Sequence, residues 1–163
     1  MAGRKRPSIA LGVVADRWGR ILIIRRRREE TGEGGAKLVW AFPGGRVIKG
    51  ERKVNCAARE ILVETGYAVR VLRLVSVRRH PEFNVLVSYY FAVLERDKPV
   101  CEPSEPDEIR EVQWVSASRV ADIVTSNLDP AVRRLLGRIT KSVRCRSLPR
   151  LIASISRLSR KAV

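Results

Sequence analysis

Glu60 and Glu64 are the residues of this chain best placed to do chemistry. Four apart on a helix, their carboxylates project from one side and repel each other unless something positive lies between them. A divalent cation answers that repulsion, and Mg²⁺ in particular takes carboxylate oxygens together with substrate phosphates. A solvated helix face with two acids is the plainer reading of such a pair. The surroundings argue against it. Pro43-Gly44-Gly45 lies upstream, where the backbone can turn with few side chains in the way, and Glu51 and Arg59 stand at fixed offsets after it.

The elements that must position these acids are legible in the same stretch. Arg52 to Thr65 are mostly good helix formers, and Gly66 stands where a helix C-terminal glycine belongs. Val54, Ala57, Ala58, Ile61 and Thr65 recur at helical spacing and predict a core-facing stripe, with Glu60 and Glu64 turned away from its centre. Cys56 is expected to be a small buried residue on that helix. Pro43-Gly44-Gly45 is expected neither to continue a strand nor to start a helix.

The segment from Gly45 to Tyr67 resembles the signature of the Nudix hydrolases, G-x5-E-x7-R-E-U-x-E-E-x-G-U with U a bulky apolar residue. Gly45, Glu51, Arg59, Glu60, Ile61, Glu64 and Gly66 fall on the pattern without gaps, and Tyr67 takes the last apolar slot. Trp40-Ala41-Phe42-Pro43-Gly44 matches the family's usual lead-in. One position departs: Val63 stands where the family has the first glutamate of its E-E pair.

The resemblance implies an α/β (α+β) helix–sheet–helix sandwich with a mixed sheet, and Mg²⁺ or Mn²⁺ as cofactor. It implies metal ligation by Glu60, Glu64 and the Gly44 carbonyl, with Arg59 holding Glu51 or a ligand carboxylate in place. Arg25, Arg27 and Arg46 are candidates for the substrate phosphates, and the side-chain-free bend at Gly45 would deliver a diphosphate to the cation. The closing strand of the family is preceded by an acidic loop that supplies a further ligand or a base. Here Glu105 and Glu108 are the candidates, either able to replace in part the acid missing at Val63. The implied reaction is hydrolysis of a nucleoside diphosphate linked to another group, with ADP-ribose-like compounds first, because Pro81 lies where ADP-ribose-cleaving members often have a proline. Nucleoside triphosphates and capped RNA ends follow. The alternative is a catalytically silent module of the same fold that binds nucleotide or RNA.

Composition sets the bounds. The 163 residues suit one domain with a full core. The net charge of +16 implies attraction to polyanions. Abundant Arg and Val with a single Met suggest a thermophile. Three widely spaced cysteines form neither a zinc pattern nor a disulfide framework. No signal peptide or membrane-spanning run is evident, so a cytoplasmic location is expected.

In chain order, Gly3 to Arg6 is expected to be a frayed basic end. Ser8 to Ala15 and Arg20 to Arg25 read as strands joined by a hairpin turn at Asp16 to Gly19, with Arg25 to Arg28 at the strand end and a glycine-containing loop from Glu29 to Gly35. Ala68 to Val77, Val85 to Leu94 and Ile109 to Val115 read as further strands. His80 sits in the loop between two of them, and Phe83 there could stack on a base. Ser116 to Val124 is expected to be a capped helix, and Asp129-Pro130 to start another through about Ile139. Residues 1–140 are assigned to the domain and 141–163 to a basic extension. Between Pro130 and Val163 there are ten Lys or Arg and no Asp or Glu. Leu148, Leu151, Ile152, Ile155 and Leu158 recur at helical spacing, which leaves three roles open: docking on the same globule, a homodimer contact, or a surface for RNA or membrane.

Overall fold

The computed structural model of the chain describes residues 6–160, with side chains through Arg157. Gly3 to Lys5 and the side chain of Leu158 therefore lie outside the described residues. Two apolar runs start the fold. Strand β1 (Ser8–Ala15) returns as β2 (Arg20–Thr31) through a turn in which Asp16 accepts the backbone N–H groups of Trp18 and Arg20 at 2.9 and 2.8 Å. Strands β3 (Lys37–Ala41), β4 (Gly44–Arg46), β5 (Val69–Arg79), β6 (Leu86–Leu94) and β7 (Ile109–Ser116) complete a seven-stranded sheet. It is mixed: β1 runs parallel to β6 and antiparallel to β2 and β4, while β2 pairs antiparallel with β3 and β7.

Alternation along the central strands sends successive side chains to opposite faces. Val13, Ala15, Ile21, Ile23, Val87, Tyr89, Phe91 and Val93 gather on one face under helix α3 (Pro130–Arg144) and helix α4 (Leu148–Arg160). Val14, Leu22 and Ala92 face the other way, onto Ile61 of helix α1 (Lys53–Thr65). This is the expected helix–sheet–helix sandwich. Asp129 caps α3 by accepting from Ala131 N and Val132 N, with Pro130 in the first turn. Gly66 ends α1 in the left-handed conformation.

Helix α4 docks on its own globule, with Leu148 and Ile155 buried in the core beside α3. The arginines of α3 and α4 that are described lie on the exposed side. No helix among the described residues is long and apolar enough to cross a membrane.

Several local expectations are corrected. Gly44–Arg46 is a short strand rather than a break, because its backbone pairs with Ile9 to Leu11. Strand β2 runs on to Thr31, since β3 and β7 flank it, so Arg25 to Arg28 lie within the strand and Glu33–Gly35 is a 3-10 turn. Ser116 to Val124 reduces to one helical turn, α2 (Val120–Ile123), with no side-chain cap at Arg119. On α1 the buried residues are Cys56, Ala57, Ile61, Glu64 and Thr65, while Val54 and Ala58 are only half-buried. The stripe is rotated toward Glu64 because β4 and the segment after β6 also pack on the helix.

Candidate active site

The glycines before α1 are required by what passes close to them. Gly44 has φ +148°, and a Cβ there would lie 2.2 Å from the Ala10 carbonyl oxygen on the neighbouring strand. A Cβ on Gly45 would lie 2.5 Å from the carboxyl carbon of Glu60. Close approach of backbone to carboxylate is thus built into the sequence.

Glu64 is only 3% exposed and accepts the Gly44 N–H at Oε2, 2.8 Å away. Burial pushes its carboxyl up to about 8; the Gly44 N–H opposes this, and the charges of Glu60 and Glu105 add to it. Glu60 is held through Oε1 by Arg59 Nη1 at 2.7 Å. The same guanidinium takes both oxygens of Glu51, Nε–Oε1 at 2.8 Å and Nη2–Oε2 at 3.1 Å. Arg59 thereby draws the Glu51 carboxyl below its ordinary range. Cys56 packs behind these groups, its thiol pushed up to about 11 by burial and by the charges of Glu51 and Glu60.

Glu60 and Glu64 open into a cavity of about 450 Å³. Gly44, Gly45, Arg46, Glu105 and Glu108 line it with them, and Phe42, His80, Phe83, Tyr89 and Leu128 supply apolar and aromatic wall. The acidic segment is tied down by Ser104 N–H to the Val63 carbonyl at 2.8 Å and by Arg27, whose Nε donates to the Pro106 carbonyl and whose N–H donates to the Glu108 carbonyl at 2.8 Å. Burial raises the Glu105 carboxyl, and the charges of Glu108 and Glu60 add to it. Glu108 is exposed.

The structure thus brings Gly44, Gly45, Arg46, Glu60, Glu64, Phe83, Glu105 and Glu108 to one cavity, with Arg59 and Glu51 behind it. Arg25 and Arg27 are not among its lining residues. Arg25 lies over the Trp40 ring at 5.7 Å and within 3.9 Å of Glu111, and Arg27 braces the acidic segment. Arg26 lines the cavity instead, paired with Glu30 at 2.5 Å and with its Nε buried and unpartnered. Sequence reasoning missed it by one residue. It shares the parity of the buried Ile24, which also lines the cavity, although the pairing with β7 shifts register between Arg25 and Arg26. His80 and Asn127 were not singled out as wall residues either. His80 Nδ1 accepts the Glu82 N–H at 3.1 Å, and burial together with Arg78 lowers its pKa.

Among the described residues, no three acidic, histidine or cysteine side chains stand close enough together to cage a metal ion. The donor chemistry nevertheless fits a hard divalent cation that keeps several waters. Glu60 Oε2 and Glu64 Oε1 accept no hydrogen bond from a described residue, and the neighbouring charges of Glu60 and Glu105 disfavour ionisation of Glu64, with the charge of Arg26 opposing them.

A model of the NUDIX domain matches residues 5–136. The E. coli (strain K12) protein named phosphatase NudJ is 28% identical over 145 residues, covering 86% of this chain and 83% of that one. A Bacillus subtilis (strain 168) protein, provisionally named an 8-oxo-dGTP diphosphatase, is 30% identical over 89 residues. That match covers 55% of this chain, and the chain spans only 58% of the Bacillus protein's length. Among solved structures, a MutT NUDIX hydrolase from Burkholderia pseudomallei is 27% identical with a TM-score of 0.60, covering 84% of this chain and all of that one.

Proposed function

Because the chain belongs to the NUDIX domain family, we propose that it is a pyrophosphohydrolase that cleaves a nucleoside diphosphate linked to a second group, with Mg²⁺ or Mn²⁺ held by Glu60, Glu64 and the Gly44 carbonyl. The observation that carries this reading is the buried Glu64 beside Glu60 in the lining of a nucleoside-sized cavity, its carboxyl bonded to no cationic side chain. A divalent cation bound there supplies neutralisation of the diphosphate and a lowered pKa for attacking water.

The chain's own residues do the rest. Arg59 fixes the Glu60 carboxylate and is itself fixed by Glu51, so it positions rather than touches substrate. Gly45 lets the Glu60 carboxylate lie against the backbone, and Gly44, Gly45, Arg46 and Arg26 line the path of the diphosphate. Glu105 takes the part of the acid missing at Val63. It follows Ser104, which is bonded to the Val63 carbonyl, and its raised carboxyl suits a group that accepts a proton from attacking water. Phe83, His80 and Tyr89 give the base and sugar an aromatic wall.

Pro81 is exposed and does not line the cavity, so it adds nothing to the choice of ADP-ribose. ADP-ribose and nucleoside triphosphates are therefore the two arms of the test. Product analysis after incubation with each, with and without Mn²⁺, should show a nucleoside monophosphate only when metal is present. No cleavage of any nucleotide in a broad panel would remove the reading. Val63 and the unneutralised face of α3 and α4 favour a second one, a silent module that binds RNA. Salt-dependent RNA binding without turnover would select it.

A further inference from the structure

Glu82 is not among the residues lining the cavity, yet it joins three segments that border it. It lies in the loop between β5 and β6, beside the lining residues His80 and Phe83. Its carbonyl accepts the Glu33 N–H at 2.7 Å, which fastens this loop to the turn between β2 and β3. Its Oε2 accepts the Asn127 N–H at 2.8 Å, which fastens the loop to the segment between α2 and α3. Its own N–H donates to His80 Nδ1 at 3.1 Å and ties the imidazole to the loop. Backbone and carboxylate of one residue thus serve three separate partners.

The neighbouring sequence is fitted to these contacts on both sides. A Cβ on Gly32 would lie 2.4 Å from the Glu82 carbonyl oxygen and 2.9 Å from the Phe83 ring, so the turn can approach the loop only as glycine. On the other side Arg78 grips Asn127, with Nη1 donating to Oδ1 at 2.8 Å and Nη2 to the carbonyl at 2.6 Å. Arg78 is itself braced by the buried Asp129, 3.3 Å from its Nε, and its Nη2 reaches the Tyr89 hydroxyl at 3.4 Å. Glu82 and Arg78 together occupy the N–H, the carbonyl and the amide oxygen of Asn127. Connecting segments are ordinarily the variable and mobile parts of a fold, and bonds to a carboxylate are among the stronger means of fixing one.

We propose that Glu82 is a positioning residue for the nucleoside half of the substrate, holding His80, Phe83 and Asn127 together as one wall. This rests on the hydrolase reading above for what the cavity contains. It gives recognition of the nucleoside to segments separate from α1, which carries Glu60, Glu64 and Arg59. The two halves of the ligand should therefore respond differently when Glu82 is changed.

The test is calorimetric titration of adenosine and guanosine 5′-monophosphates, and of inorganic pyrophosphate, into the full chain with EDTA present. The nucleotide that binds more tightly is carried into the variants. Glu82→Ala should weaken its binding about tenfold while changing that of pyrophosphate less than about twofold. Glu82→Gln keeps an oxygen that can accept the Asn127 N–H, and should recover most of the loss. Gly32→Ala, which presses on the same loop from the opposite side, should reproduce the pattern of Glu82→Ala. Melting curves check that each variant is folded, and the ratio of the two affinities separates a displaced wall from a general loss of structure. Equal losses for nucleotide and pyrophosphate, or an unchanged nucleotide affinity in Glu82→Ala, would overturn the proposal. So would a Glu82→Gln variant as weak as Glu82→Ala, or an unaltered protein that binds neither nucleotide. Because no metal or turnover enters the assay, a protein that cleaves nothing but binds nucleotide through Glu82 would remove the hydrolase reading alone.

Discussion

Ser104 donates its N–H to the carbonyl of Val63 at 2.8 Å, and the next residue, Glu105, lines the cavity that Glu60 and Glu64 share. The helix position that lacks its carboxylate is thus the one to which a carboxylate-bearing segment is fastened. Glu105→Gln should lower kcat by about 10–100-fold, and Glu108→Gln, at an exposed position, by much less. Val63→Glu should tighten Mn²⁺ binding and recover part of the activity lost in Glu105→Gln. Equal effects of the two glutamine variants would mean that the acidic segment contributes only charge.

Gly45→Ala should act on the site more than on the fold. The added methyl meets the Glu60 carboxyl group, a side-chain end that can move, rather than backbone. Thermal stability is expected to change by about 1 kcal/mol or less, while activity falls at least about tenfold as Glu60 is displaced. A loss of melting temperature that accounts for the lost activity would refute this.

The Glu64 carboxyl sets a pH dependence on the metal-free protein. Its pKa is raised to about 8 in the folded chain, by burial first, against an ordinary value near 4.5. Its contribution is fully favourable below about pH 4.5, where both states are protonated, and is lost as pH rises through 8. With EDTA present, stability should decline across that interval by on the order of a few kcal/mol. Glu64→Gln should flatten the decline, as should excess Mn²⁺. Melting curves from pH 5 to 9 read this directly, and a variant with the same slope as the unaltered protein would locate the effect elsewhere.

Ile155 tests whether the C-terminal helix belongs to the globule. At 1% exposure in the core cluster, Ile155→Ala should cost about 2–5 kcal/mol in denaturant unfolding, with one transition. A change near zero would make α4 a detachable extension.

What the sequence made legible was local. The glycine turn, the helix with its terminal glycine and the spacing of Glu51, Arg59, Glu60 and Glu64 are set by residues within one turn or loop of each other. The Asp129-Pro130 start of α3 is of the same kind. The errors came where distant segments decide. Arg25 and Arg27 were chosen over Arg26 because strand parity beyond Ile24 depends on the partners that extend β2 to Thr31, and one residue exchanges the faces. The burial of Glu64 was hidden for a similar reason. Its neighbours Gly44 and Glu105 lie twenty and forty-one positions away in the chain, so helical periodicity alone turned it outward. Tyr67 fills an apolar slot because its ring meets Trp114 edge-on at 5.4 Å while its hydroxyl oxygen accepts the indole N–H, contacts made only when β7 closes the sheet.

The proposed hydrolysis requires that Glu60 and Glu64 hold a divalent cation. Titrating Mn²⁺ into the chain while following free Mn²⁺ by electron paramagnetic resonance, with nucleotide cleavage measured on the same samples, tests this most directly. Binding and cleavage should rise together, and both should fall by at least about tenfold in Glu64→Gln. Cleavage that persists in EDTA, or an unaltered Mn²⁺ isotherm in Glu64→Gln, would contradict it.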